Sequence, residues 1–241
     1  MNAAAIVVIG NEILSGKVQD RNSPFLIREL RELGVPVKRV ATIPDEVDVI
    51  GETVRRYADR FAHVITCGGI GPTLDDVTFE GIARAFDLPL RPEPALERVI
   101  REHVGERITD AHLRMTKLPE GTELLWAEGL PWPATYIRNV LALPGSPELV
   151  EKKWRAIRER FRASPFVLCR IYLGIDEAAI AADLQAVDAA FPSVDIGSYP
   201  VFAPVDHETE ITLECKDAEV VAAAKQALLS RLEPSVVVRI E

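Results

Sequence analysis

Short apolar runs alternate with segments of helical period along most of the chain, and this alternation already predicts a fold. Ala3 to Ile9 is apolar throughout and reads as a first buried strand. Ser23 to Leu33 follows as an amphipathic helix, with Leu26, Ile27, Leu30 and Leu33 on one face and Gly34 at its end. Val35 to Ile43 is the next strand, Asp48 is placed to cap a helix running to about Phe61, and His63 to Thr66 is a third apolar strand. A helical pattern resumes near Val77. Further on, Ala95–Val104 reads as helix, Thr122–Leu125 and Tyr136–Leu143 as strands, and Glu148 to about Phe161 as helix. Such alternation predicts an α/β domain over residues 1–162, a three-layer, mostly parallel sheet covered by helices on both faces.

The pattern changes after Arg162, and Ala163-Ser164-Pro165 reads as a linker. Phe166–Leu173, Val194–Ser198, Glu210–Glu214 and Val236–Ile240 read as strands. Between them, Glu177–Phe191 and Ala218–Leu232 are helical. The order β-α-β-β-α-β over residues 163–241 predicts a small α+β domain of ferredoxin-like topology. That superfold carries no function by itself.

Composition narrows the partners. The chain has 241 residues, with 28 Lys plus Arg against 37 Asp plus Glu and a formal net charge of −9. An acidic chain is a poor non-specific nucleic-acid binder, so an anionic ligand needs locally built attraction. No apolar run approaches membrane-spanning length, and Met1 to Gly10 lacks the charged leader of a signal peptide. Three widely separated cysteines, Cys67, Cys169 and Cys215, fit reduced thiols, and a cytoplasmic location is expected.

The chemistry concentrates in three strand-to-helix loops. Cys67 to Thr78 contains Gly68, Gly69 and Gly71, then Thr73, Asp75, Asp76 and Thr78. A glycine-rich turn between strand and helix lets backbone N–H groups approach a phosphate closely. Carboxylates beside a phosphate call for a bridging cation, and oxygen ligands favour Mg²⁺ or Mn²⁺. The second loop holds Gly10, Glu12, Ser15 and Gly16, followed by Asp20 and Asn22; the third is Pro144-Gly145-Ser146-Pro147-Glu148. In α/β sheets, ligands collect at the carboxyl ends of strands, where all three loops fall. Each loop alone has a structural reading: Gly10 as a strand end, Asp76 as a helix cap, the Pro-Gly pair as punctuation. Their coincidence is what marks a site. Arg114 and Lys117 are either phosphate contacts or a solvated face, and Trp126 and Trp132 either stack on a heterocycle or pack.

These loops resemble the molybdopterin-binding domain of molybdenum-cofactor biosynthesis proteins, of MoaB/Mog type. They are most similar to its CinA-type branch and to the N-terminal domain of eukaryotic FAD synthase. The likeness rests on Gly10-Asn11-Glu12-Ile13-Leu14-Ser15-Gly16 with Asp20 and Asn22, on Gly68 to Thr78, and on Leu143 to Glu148. It implies a ligand such as molybdopterin, FAD or ADP-ribose, with phosphate contacts from Gly10, Glu12, Ser15, Gly68, Gly69, Gly71, Thr73, Thr78, Arg114, Pro144, Gly145 and Ser146. It further implies a divalent metal (Mg²⁺, Mn²⁺ or Co²⁺) on Asp76 with Asp75 or Glu12, and with it cleavage of a pyrophosphate in which Asp76 and Asp75 are catalytic. A homo-oligomer is expected by the same analogy. The alternatives are a non-catalytic sensor or carrier of molybdopterin or a nucleotide, and an assembly module with a vestigial cleft.

Overall fold

The computed structural model describes residues 2–203 and 205–241. The chain divides into two compact units, residues 1–163 and 164–241. The first begins with β1 (Ala4–Ile9), a short α1 (Asn11–Leu14), α2 (Asn22–Glu32), β2 (Val37–Ile43), α3 (Val47–Ala58) and β3 (His63–Cys67). After the glycine loop come α4 (Thr78–Phe86), β4 (Leu90–Pro92), α5 (Pro94–Val104), α6 (Asp110–Arg114) and β5 (Lys117–Pro119). It closes with β6 (Glu123–Leu125), β7 (Ala134–Ile137), β8 (Val140–Leu143) and α7 (Pro147–Ile157), which tightens into a 3₁₀ turn over Arg158–Phe161.

The main sheet has the order β2-β1-β3-β8-β7-β6. Its first four strands run parallel, and β7 and β6 continue it antiparallel. Strand β1 is buried along its whole length because helices cover both faces. On one face, Ile6, Ile65 and Leu141 pack against Leu26, Leu30 and Leu33 of the α2 segment and Trp154 of α7. On the other, Val7, Val64 and Val140 meet Ile50 and Val54 of α3, Ile82 of α4, and Leu96 and Ile100 of α5. The result is the three-layer α/β arrangement that the alternation predicts.

Three local expectations need correction. Tyr136–Leu143 is not one strand but the hairpin β7–β8, turning at Arg138 and Asn139; Arg138 has φ of 55°. Asn139 fixes that turn, its side-chain amide donating to the carbonyls of Ala58 and Phe61, both at 2.9 Å. Ile27 lies outside the apolar face of α2, 38% exposed, and Phe25 takes the inward position. Asp48 does not cap α3; it lies within the first turn and pairs with Arg84 of α4 at 3.0 Å.

The second unit is β9 (Val167–Leu173), α8 (Glu177–Ala190), β10 (Asp195–Pro200), β11 (Thr209–Cys215), α9 (Ala218–Leu229) and β12 (Val237–Ile240). Its sheet is antiparallel in the order β10-β11-β9-β12. Ile171 and Leu213 of the sheet pack on Ile180 and Val187 of α8 and on Val221, Ala224 and Leu228 of α9. Side chains of Asp176 and Asp217 cap the two helices by accepting backbone N–H bonds. Among the described residues, no helix is long and apolar enough to cross a membrane.

Candidate functional site

Parallel neighbours β1, β3 and β8 release their three following loops at one edge of the sheet. The glycine loop is held down by backbone at both ends. Gly68 N–H donates to the Leu143 carbonyl at 3.1 Å, and Thr78 N–H donates to the Gly69 carbonyl at 2.9 Å. At Gly68 φ is +108°, and a Cβ there would lie 2.1 Å from the carbonyl oxygen of Ile9. At Gly69 φ is +64°, and a Cβ would lie 2.4 Å from Thr78 Oγ1. Only glycine lets the chain fold this tightly over the end of β1.

Buried Thr78 works from beneath, its hydroxyl donating to the Gly68 carbonyl at 2.9 Å. On the far side of the loop, Asp76 Oδ2 accepts from Thr73 N–H at 2.8 Å and from the Thr73 hydroxyl at 2.6 Å. That hydroxyl also lies 2.5 Å from Asp75 Oδ1. Its single proton can serve only one carboxylate at a time. The Thr73 hydroxyl, with a backbone donor, holds the Asp75 carboxyl below the usual carboxylate range. Asp76 therefore closes the loop and does not cap α4, which has no side-chain cap. Arg114 reaches the same loop, donating to the Pro72 carbonyl at 2.9 Å.

The other two loops are tied in from their own sides. Gly10 N–H donates to the Ile43 carbonyl at 3.1 Å, and Asn11 N–H donates to Asp45 Oδ2 at 2.7 Å. Ser15 donates its hydroxyl back to the Glu12 carbonyl at 3.2 Å. Asp20 Oδ1 accepts from the backbone of Asn22 and Ser23, which starts α2. Asn22 then reaches the third loop, its amide donating to the Gly145 carbonyl at 2.8 Å. Ser146 opens α7 and donates its hydroxyl to Glu148 at 2.9 Å.

Above these loops lies a cavity of about 680 Å³, within the usual range of small-molecule sites. Of the residues singled out in the sequence, Glu12, Gly68, Gly69, Gly71, Asp75, Asp76, Pro144 and Gly145 line it. Gly10, Ser15, Thr73, Thr78, Arg114 and Ser146 are not among its lining residues; the bonds above show them shaping the loops. Sequence reading missed much of the rest of the wall, including Asp45, Phe79, Leu96, Ile100, His103, Met115, Lys152 and Lys153. Trp132 also lines the cavity, edge-on to the His103 ring at 5.4 Å, whereas Trp126 is half exposed elsewhere. Cys67 is buried, and burial pushes its thiol far up, against a nucleophilic role.

Electrostatically the cavity has two characters. Burial, then repulsion from Glu12, Asp75 and Asp76, raises the Asp45 carboxyl above its ordinary value, opposed by the Asn11 hydrogen bond. Four carboxylates thus share one field. Among the described residues, however, no three His, Cys, Asp or Glu side chains gather in a ligating arrangement. Hard oxygen donors in ones and twos suit Mg²⁺, which commonly takes one or two carboxylates and completes its shell from substrate phosphate and water. The lining also has an apolar part, supplied by Phe79, Leu96, Ile100, Met115 and Trp132.

Comparison with known proteins gives a family model described as "Probable molybdopterin binding domain", matching residues 5–163. A second, described as "FAD synthase, middle domain", matches residues 165–241. A protein of Archaeoglobus fulgidus is 36% identical over 201 residues, covering 81% of this chain and 84% of that one. A probable FAD synthase of Caenorhabditis briggsae is 33% identical and covers 93% of this chain; the match spans 48%, about half, of its own length. The crystal structure of CinA from Thermoplasma acidophilum, of unknown function, superposes with TM-score 0.62 at 28% identity, covering 67% of this chain and all of that one.

Proposed function

The chain belongs to the probable molybdopterin-binding domain family, and from that membership we propose that its cavity binds a phosphorylated pterin or a dinucleotide such as FAD or ADP-ribose. The observation that carries this reading is the division of one cavity into a glycine loop with carboxylates and an apolar wall with Trp132. A ligand with a phosphate tail and a flat ring uses both. The glycine loop offers main-chain donors without a Cβ to fend off phosphate. Phe79, Met115 and Trp132 exclude water from the ring.

Asp75 and Asp76, with Glu12, are the residues to hold a divalent cation against the phosphates. Bound there, Mg²⁺, Mn²⁺ or Co²⁺ would supply Lewis-acid polarisation of the pyrophosphate and a more acidic water. Thr73 orients both carboxylates, holding Asp76 through its N–H and hydroxyl and lying within reach of Asp75 through the same hydroxyl. The reaction would then be hydrolysis of the pyrophosphate, releasing AMP from FAD or ADP-ribose. A second reading, binding without cleavage, is favoured by the engagement of Asp76 with Thr73, which gives that carboxylate a purely structural task.

A thermal-shift screen of the full chain against pterins, FAD, ADP-ribose and divalent metals tests binding. A ligand specific to the folded state adds about 3 kcal/mol of stability at a hundredfold excess over Kd. The same samples assayed for AMP separate the two readings. Stabilisation without product under any of the three metals selects the carrier, and no stabilisation by any ligand removes the cavity from consideration.

A further inference from the structure

Lys153 is the unusual cation of the first unit. It sits on the inward side of α7, between Val150 and Trp154, and is only 8% exposed. Its ammonium donates to the Trp132 carbonyl at 2.9 Å and to the Pro133 carbonyl, and no carboxylate pairs with it among the described residues. It also lines the cavity, as do Trp132 and Pro133, whose carbonyls accept from it. A buried ammonium has three N–H donors, and here two are committed to backbone carbonyls. A lone charge kept from water without an anion is costly, and the cheapest remedy is an anion brought by a ligand.

We infer that Lys153 is a ligand-contacting residue: tethered by Trp132 and Pro133, it presents its remaining N–H to an anionic group of the cavity's occupant. Contact with the anion would also fix the Trp132 wall, because one ammonium bridges the two. This inference rests on the cavity reading above. Burial already lowers the lysine to about 8, so an anion that favours its charged form draws in a proton near that pH. The other charged or titratable side chains on the cavity are Lys152 of the same helix, His103 of α5, and Glu12, Asp45, Asp75 and Asp76 of the loops.

Inorganic pyrophosphate is the probe, titrated calorimetrically into the full chain with excess Mg²⁺ at pH 8 in two buffers of different ionisation enthalpy. The wild type is expected to take up about half a proton per pyrophosphate bound, since a group with a pKa near the working pH is half charged beforehand. Lys153→Met should weaken binding at least tenfold and abolish the uptake. Lys153→Arg, which keeps a charge that cannot titrate, should retain affinity within a few-fold and also show no uptake. Proton uptake that survives in Lys153→Arg belongs to His103, Lys152 or the carboxylates and overturns the inference. Unchanged affinity in Lys153→Met overturns it too, as does absence of pyrophosphate binding by the wild type. The cavity reading is decided separately, by the thermal-shift screen with whole dinucleotides and pterins.

Discussion

Gly68→Ala should damage the first unit far more than a surface glycine change would. The new methyl cannot avoid the Ile9 carbonyl, 2.1 Å away, because that atom belongs to the backbone of β1, where Ile9 is paired with Ile43 of β2. Holding an L-residue at φ +108° costs roughly 1–3 kcal/mol. Forcing a methyl into a packed site adds roughly 1–3 kcal/mol. A combined loss of about 4 kcal/mol lowers the melting temperature of a domain of this size by roughly 8–16 °C. Gly145→Ala is the matched control, since its added methyl would meet only Gly68 Cα at 3.6 Å, an ordinary contact. Differential scanning calorimetry of both variants beside the wild type measures the contrast. Gly68→Ala melting within about 2 °C of Gly145→Ala would refute the close approach of the glycine loop to β1, and with it the shape of the anion cradle.

Thr78→Val keeps the shape beneath the loop but leaves the Gly68 carbonyl without its hydroxyl partner, so stability should fall by about 1–3 kcal/mol in urea titrations. Asp76→Asn keeps an acceptor for Thr73 N–H and should melt near the wild type, whereas Asp76→Ala should melt lower; ligand-dependent metal binding should be lost in both. Lys153 carries a pH signature: its folded value of about 8 lies below the ordinary 10.5, so the unfolded chain binds the proton more tightly. Stability should therefore rise with pH between about 8 and 10.5, by roughly 3 kcal/mol at most, and this rise should vanish in Lys153→Met.

Most of the layered fold is legible because β1, β3 and the inward faces of α2 and α7 carry strong apolar signals, broken on α7 by Lys153. Leu26, Leu30 and Leu33 could be placed from spacing alone. Ile27 misled because it is as apolar as its neighbours, and only the sheet's position decides which edge of the stripe is covered. The β7–β8 hairpin was hidden by composition: Arg138-Asn139 lacks glycine, yet Asn139 pins the turn through contacts with Ala58 and Phe61, distant in sequence. Strands β4 and β5 end in Pro92 and Pro119, residues that argue against strand when read locally. At the site, loop residues were visible because glycine and aspartate mark their own chemistry. The apolar wall was not, since Phe79, Leu96 and Met115 look like core residues until the cavity between them is seen. Lys153 did leave a trace, a charge on the inward side of a helix beside Val150 and Trp154.

If a phosphate binds at the glycine loop, the charge balance of the cavity calls for a cation beside it. Glu12, Asp45, Asp75 and Asp76 line the same space as the glycine loop. Two like charges 4 Å apart repel by about 4 kcal/mol at an effective dielectric constant of 20. Backbone amides and two lysines, Lys152 and Lys153, cannot offset four carboxylates and a pyrophosphate together. Either a divalent cation stands between the carboxylates and the phosphate, or the phosphate does not lie at that rim. Pyrophosphate affinity should accordingly rise at least tenfold, about 1.4 kcal/mol, when Mg²⁺ replaces EDTA. In Asp75→Asn/Asp76→Asn the metal-free affinity should improve while the Mg²⁺ response disappears. Equal wild-type affinity in EDTA and in Mg²⁺ would place the anion away from the carboxylates and the glycine loop that carries two of them, leaving Lys153 as its holder.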